Sequence, residues 1–173
     1  MPVGTVVDKP VFVSHSSENG EIAIAICEFL NRVGCPYANV FCTSMPPCKP
    51  RLNMPMEDLL KTARESATFA ILSCCDEYQK SPDCIEETQH FKKNLNAKKI
   101  VCFFHPSFNF NTDHYKLSKL FGIELKKSKR VTLKSSMLDL ADMLSRAKLI
   151  IKDDKAINWA IDKFVEDIER LVA

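Results

Sequence analysis

The residues best suited to chemistry lie in the segment Ser81-Pro82-Asp83-Cys84-Ile85-Glu86-Glu87. Its first two residues are a good helix N-cap and a residue that suits the first helical position, so they predict a helix start. At about 100° per residue, Cys84 falls on the buried stripe, Glu87 borders that stripe and Glu86 faces water. A carboxylate beside an apolar stripe can be aimed into a cleft, with its pKa tuned by partial burial. The alternative is an ordinary helix-start acid that is favourable to the helix dipole.

Further polar segments follow the predicted strands. Residues 14–20 follow the short apolar run Val11-Phe12-Val13, and residues 43–55, with four prolines, follow Val40-Phe41-Cys42. Residues 73–81 follow a third strand. In an open parallel α/β sheet, ligands bind beyond the carboxyl ends of the strands, near the point where strand order reverses. We therefore expect these loops to surround the site.

The elements that must position these residues alternate between strand and helix. Helical spacing of apolar residues predicts helices over 22–33, 56–67 and 82–96. Two unbroken apolar segments, 68–73 and 99–104, predict strands that are buried on both faces. Strands alternating with helices favour a parallel sheet with helices on both faces.

The last third of the chain is less regular. After residues 109–129, Val131-Thr132-Leu133 indicates a fifth strand, and residues 138–144 continue into a helix. The final helix packs on this domain, pairs with a second copy or leads into a further domain, and we expect its Trp159 to be core. This helix carries an apolar stripe made of Ile157, Ile161, Phe164, Val165, Ile168 and Leu171.

Length and charge are those of a soluble globular domain. The chain has 173 residues, with 24 Lys and Arg against 22 Asp and Glu, so its net charge is +2. This excess is too small to indicate nucleic acid. The basic run Lys126-Lys127-Ser128-Lys129-Arg130 is either a solvated loop or a site for a polyanion.

Cysteine usage and hydropathy indicate a cytoplasmic protein. The N-terminus lacks a signal-peptide pattern, and no apolar stretch reaches about 18 residues, so we expect no membrane association. Eight cysteines lie largely in apolar runs, where we expect reduced thiols. The spacing of cysteines and histidines does not indicate zinc.

Four pieces of the sequence form a recognisable series. They are Val11-Phe12-Val13-Ser14-His15-Ser16-Ser17, Val40-Phe41, Ala67-Thr68-Phe69-Ala70-Ile71-Leu72-Ser73 and Tyr78-x-x-Ser81-x-x-Cys84-x-x-Glu87. In this order and spacing they resemble a TIR (Toll/interleukin-1 receptor) domain of the bacterial and plant type. The resemblance covers about residues 10 to 145.

The resemblance implies a fold and a domain organisation. The family has a flavodoxin-like five-stranded parallel sheet, which agrees with the α/β class predicted from the apolar pattern. We expect an N-terminal tail over residues 1–9, a TIR domain over 10–146 and a C-terminal helical extension over 147–173.

The resemblance also implies an activity. Many members cleave NAD+ at the nicotinamide–ribose bond, releasing nicotinamide with ADP-ribose or a cyclic isomer, and need no further cofactor. The family's catalytic glutamate corresponds to Glu87, and the family's BB loop corresponds to residues 44–51. One carboxylate suits this chemistry because nicotinamide leaves as a neutral molecule. Arg51 would meet the pyrophosphate or be a solvated loop residue. The substrate-binding residues implied are His15, Ser16, Ser17, Ser44, Arg51, Asp83 and Cys84.

One position departs from the family pattern. Enzymatic relatives often have tryptophan four residues before the glutamate, where this sequence has Asp83. An aspartate there would perturb substrate stacking, raise the pKa of Glu87 or mark a member without catalysis.

Several functions remain open at this point. An NAD-cleaving enzyme would act in prokaryotic immune defence or host manipulation, switched on by self-association through TIR–TIR contacts. A further sensor or effector domain would be a second partner. A non-catalytic TIR scaffold is the main alternative. A flavodoxin or a nucleoside deoxyribosyltransferase-like enzyme would share the fold. A receiver domain is disfavoured because Ser14-His15 and Ser73-Cys74 stand where it needs acidic residues.

Overall fold

Five strands form one parallel sheet in the computed structural model, which describes residues 8–49, 54–126 and 129–172. Their order is β2-β1-β3-β4-β5, and each neighbouring pair is parallel. The predicted flavodoxin-like α/β class is therefore confirmed. The strands are β1 (Val11–His15), β2 (Val40–Phe41), β3 (Phe69–Cys74), β4 (Ile100–Phe104) and β5 (Phe121–Glu124).

Helices cover both faces of the sheet because side chains alternate along each strand. Val11 and Val13 share a core with α1, α4 and α5, whereas Phe12 and Leu72 share another with α2 and α3. Every residue of β3 and β4 is buried, as their unbroken apolar runs predict. The helices are α1 (Gly20–Arg32), α2 (Met56–Ser66), α3 (Pro82–Asn94), α4 (Arg130–Arg146) and α5 (Asp154–Leu171).

The fifth strand was placed wrongly by the sequence pattern. Val131-Thr132-Leu133 lies in the first turns of α4, and the strand is Phe121–Glu124. The β-branched pair at 131 and 132 suggested a strand, but Val131 is 84% exposed and Leu133 begins the buried helical stripe. The true strand lies at the sheet edge and buries only Ile123 fully, so it has no long apolar run.

The C-terminal helix α5 packs on α1 and α4 and shares their core. The Phe164 ring lies 5.7 Å from the rings of Phe29 and Phe103, centroid to centroid. Burial of Trp159 was a wrong prediction, since this residue is 53% exposed. It lies about 200° from Ile157 on the helix, away from the stripe, and the Arg32 guanidinium sits 5.5 Å from its ring centroid.

All eight cysteines are buried and carry free thiols. Within the part of the chain that the structure describes, no helix has the length and apolar character needed to cross a bilayer.

Candidate functional site

Helix α3 begins where the sequence predicts. The Ser81 hydroxyl accepts a hydrogen bond from the Cys84 backbone N–H, and Pro82 is the first helical residue. The predicted phase is confirmed, because Glu87 is only 5% exposed whereas the side chain of Glu86 is 66% exposed. Two adjacent carboxylates, about 100° apart around one helix, therefore differ in their exposure to water.

A chain of buried hydroxyl groups ends on the Glu87 carboxylate. The Ser14 hydroxyl donates to Glu87 Oε2, Ser14 Oγ lies 2.8 Å from the Tyr78 hydroxyl, and that hydroxyl lies 3.0 Å from Thr88 Oγ1. Each hydroxyl has one proton to donate. Because Ser14 donates to Glu87, Tyr78 must donate to Ser14 and Thr88 to Tyr78. The chain is thus oriented toward the carboxylate.

The environment of Glu87 sets its protonation near neutral pH. Burial raises its pKa from 4.5 to about 7, and the Ser14 hydrogen bond and the positive charge of Arg64 partly oppose this increase. The negative charge of Asp83 adds to it. Burial also holds the pKa of Tyr78 well above its usual value, so this side chain stays a neutral phenol. Glu87 can therefore gain or lose a proton near pH 7.

A groove of about 670 Å³ runs between α2 and α3. Lys61 and Arg64 of α2 bring positive charge to it, and Arg64 Nη2 lies 3.3 Å from Glu86 Oε1. Arg64 Nε is buried and has no hydrogen-bond partner among the described residues, so the guanidinium has a free donor. The lining residues are Met56, Glu57, Leu60, Lys61, Arg64, Asp83, Glu86 and Glu87.

A second cluster of polar side chains, beside Ser14, lies at the carboxyl ends of β1 and β3. Strand order reverses between these two strands. The His15 Nδ1 donates to the Ser16 carbonyl at 2.7 Å, and its Nε2 lies 3.3 Å from the Thr43 hydroxyl. Ser16 Oγ lies 3.2 Å from Cys75 Sγ and links the two strand ends.

His15 also responds to a neighbouring thiol. Burial lowers the pKa of His15, but the hydrogen bond and charge of Cys42 and the Ser16 carbonyl outweigh burial and raise it. The charge of Glu87 adds a smaller contribution in the same direction. An imidazolium at this position would favour the ionised form of Glu87.

Of the predicted site residues that the structure describes, Glu87 and Asp83 line the groove. His15 and Ser16 lie outside it, at and just after the carboxyl end of β1. Ser44 lies further along, beside Gly20, where an added Cβ would come within 3.0 Å of Ser44 Oγ.

Two further predicted residues, Ser17 and Cys84, also lie outside the groove lining. Ser17 is exposed on the loop after β1. Cys84 is 2% exposed and belongs to the core under α3, where burial raises the pKa of its thiol to about 12. Arg51 lies outside the described residues.

Sequence reasoning placed Ser14 and Tyr78 in the loops expected around the site but predicted no contact between them and Glu87. It gave no role to Lys61 or Arg64. Ser14 is a polar residue at the end of an apolar strand, and this was the available signal for it. The two basic residues are three positions apart and share one side of α2. Their position opposite Glu87 depends on how α2 packs against α3, which periodicity does not define.

Comparison of this chain with protein-family models, curated proteins and solved structures found no match. The fold defines the class as a flavodoxin-like α/β domain. Function is therefore inferred from the side chains around Glu87.

Proposed function

We propose that this protein is a TIR-type NAD+ glycohydrolase and that Glu87 is its catalytic carboxylate. The observation that carries the proposal is a buried glutamate, with its pKa raised to about 7, in the wall of a groove that also holds two basic side chains. Perturbed carboxylates in clefts are frequent catalytic groups. The resemblance of the segment around Glu87 to the family's Cys-x-x-Glu motif supports the same assignment.

The reaction needs little acid catalysis. The bond between C1′ of ribose and the nicotinamide nitrogen breaks, and its electron pair neutralises the pyridinium ring. The ribose becomes oxocarbenium-like, and ionised Glu87 stabilises this positive charge. Water then attacks C1′ and gives up one proton, so NAD+ and water yield nicotinamide, ADP-ribose and H+. Attack by an adenine nitrogen in place of water would give the cyclic isomer.

The basic residues of α2 suit the pyrophosphate of NAD+. Arg64 lines the groove and its acidic partner Glu86 is exposed, so the guanidinium can exchange this partner for a phosphate oxygen at little cost. Guanidinium groups bind phosphate oxygens in a bidentate manner. Lys61 lines the same groove and adds a second positive charge.

Asp83 replaces the aromatic residue that the family pattern favours. It is exposed in the groove wall, one turn before Glu87. In this proposal its carboxylate attracts the positively charged pyridinium of NAD+ instead of stacking on it. This attraction is lost when nicotinamide becomes neutral, which favours release of that product.

The test is product analysis by proton NMR, with concentrated protein incubated with NAD+. We expect nicotinamide from the wild type and from Glu86→Gln, and a loss of about 10²-fold or more in Glu87→Gln. Parallel incubations with nucleosides test a deoxyribosyltransferase-like activity. Absence of nicotinamide from the wild type, or equal rates in both variants, would refute the proposal and leave a non-catalytic TIR scaffold as the alternative.

A further inference from the structure

A cavity of about 500 Å³ lies at the amino-terminal ends of two strands, the end of the sheet opposite the carboxyl ends of its strands. It is formed where β4 and β5 begin and where α4 ends. Because the strands are parallel, this end is remote from the loops around Ser14 and Glu87. The lining residues are Ala97, Lys98, Lys99, Phe121, Met143, Arg146 and Ala147.

The inner wall of this cavity is apolar. Phe121, Met143 and Ala147 are half-buried and pack against the core that lies beneath α1, α4 and α5. Their exposed surfaces meet in a concave space rather than on a flat patch. Its volume lies within the range of about 300–1,000 Å³ that is typical of small-molecule sites.

The rim of the cavity is basic. Lys98, Lys99 and Arg146 are all exposed there, and Arg146 Nε lies 3.0 Å from Asp142 Oδ2 on its own helix. Among the described residues, neither lysine is within ion-pair distance of an acidic side chain. The negative end of the α4 dipole would oppose an anion. However, Lys148 N–H donates to the Ser145 carbonyl at 3.0 Å, so this end is partly capped.

We propose that this cavity binds a medium-chain fatty acid. The aliphatic tail would lie against Phe121 and Met143, and the carboxylate would pair with Lys98 and Lys99. An apolar wall with cations confined to the mouth matches a ligand that has one charged end. A nucleotide would place polar groups against the apolar wall, which makes it a poorer occupant.

Titration calorimetry with decanoate below its micelle concentration tests this site. We expect one saturable site for decanoate. The affinity should fall about tenfold in Lys98→Glu/Lys99→Glu, because two exposed charge contacts with the carboxylate are lost. The matched variant Lys155→Glu/Lys163→Glu has the same net charge and leaves the cavity unchanged, so it should bind as the wild type does. Decanol, which lacks the charge, should bind more weakly and should not respond to either substitution.

Two further measurements place the ligand. Ala147→Trp fills the cavity and should abolish decanoate binding. In the wild-type protein, decanoate should shift the Met143 methyl resonance, and this result needs no variant. The proposal is overturned by absence of saturable binding, by equal weakening in both double variants or by an unshifted Met143 methyl. Binding of an acidic amphipathic peptide in place of decanoate would also overturn it.

Discussion

Glu86 and Glu87 are neighbours in the sequence of α3, but the two sides of this helix place them in different surroundings. Glu86 is in water and forms an exposed ion pair with Arg64. Glu87 is buried, accepts a hydrogen bond from Ser14 and has its pKa raised to about 7. The comparison shows that one step along a helix, about 100°, separates a solvated acid from one suited to chemistry.

The largest expected effect is a pH-dependent gain of stability in Glu87→Gln. The pKa of Glu87 is raised from 4.5 to about 7 in the folded protein, so the folded state holds the proton more tightly than the unfolded chain. As pH rises from about 4.5 to 7, the wild type therefore loses stability relative to the variant. Above pH 7 the full difference, about 3 kcal/mol, should be present.

Urea unfolding at pH 4.5 and pH 8 measures this difference. Glu86→Gln is the matched control because it makes the same change on the solvent side of the helix. The two variants should differ clearly at pH 8 and little at pH 4.5. If Glu87→Gln is no more stable than the wild type at pH 8, ionisation of the buried Glu87 carboxylate does not destabilise the folded protein as expected.

Tyr78→Phe should destabilise the protein by about 1–3 kcal/mol. The substitution removes the central hydroxyl of the buried chain and leaves Ser14 and Thr88 each without one hydrogen-bond partner. Tyr115→Phe is the control, since no hydrogen bond of its hydroxyl is seen within the described ranges. Thermal unfolding should give a lower midpoint for Tyr78→Phe than for Tyr115→Phe. Equal midpoints would argue against the chain of hydroxyl hydrogen bonds.

Ser14→Ala should shift the proposed NAD+ cleavage to higher pH. The Ser14 hydroxyl lowers the pKa of Glu87, so its loss should raise that pKa. If the ionised carboxylate is the active form, the rate of nicotinamide release falls as pH drops through this pKa. The acid limb of the pH–rate profile should move upward in Ser14→Ala and stay in place in Ser17→Ala, which changes an exposed serine.

The smallest stability effect is expected from breaking the ion pair between Arg64 of α2 and Glu86 of α3. Breaking the Arg64–Glu86 pair by Glu86→Gln should cost at most about 1 kcal/mol, because this acid is exposed. Arg64→Gln should raise KM for NAD+ several-fold, if Arg64 binds the pyrophosphate. An unchanged KM in Arg64→Gln would remove that role from Arg64.

Local sequence signals were sufficient to predict that Glu86 and Glu87 have different surroundings. The Ser-Pro start of α3 defined the helix phase, and the phase separated Glu87 from Glu86 before any tertiary contact was known. The apolar runs of β3 and β4 likewise predicted strands buried on both faces. These features depend on residues that are close together in the chain.

The features that the sequence did not predict depend largely on contacts between residues that are distant in the chain. Ser14 meets Glu87 across 73 positions and Tyr78 across 64, so neither partner could be recognised from spacing. Cys84 was predicted both on the buried stripe and as a substrate contact, and the structure places it in the core under α3. The edge strand β5 was missed because its exposed side weakens the apolar signal.

The central claim is that α3 holds one carboxylate with a pKa near 7 on its inner side. A carbon-13 NMR titration of the glutamate side-chain carboxyl groups tests it most directly. We predict one resonance that titrates near pH 7, is lost in Glu87→Gln and is retained in Glu86→Gln. If every glutamate titrates below about pH 5.5, or if the resonance near pH 7 persists in Glu87→Gln, the account of Glu87 is wrong.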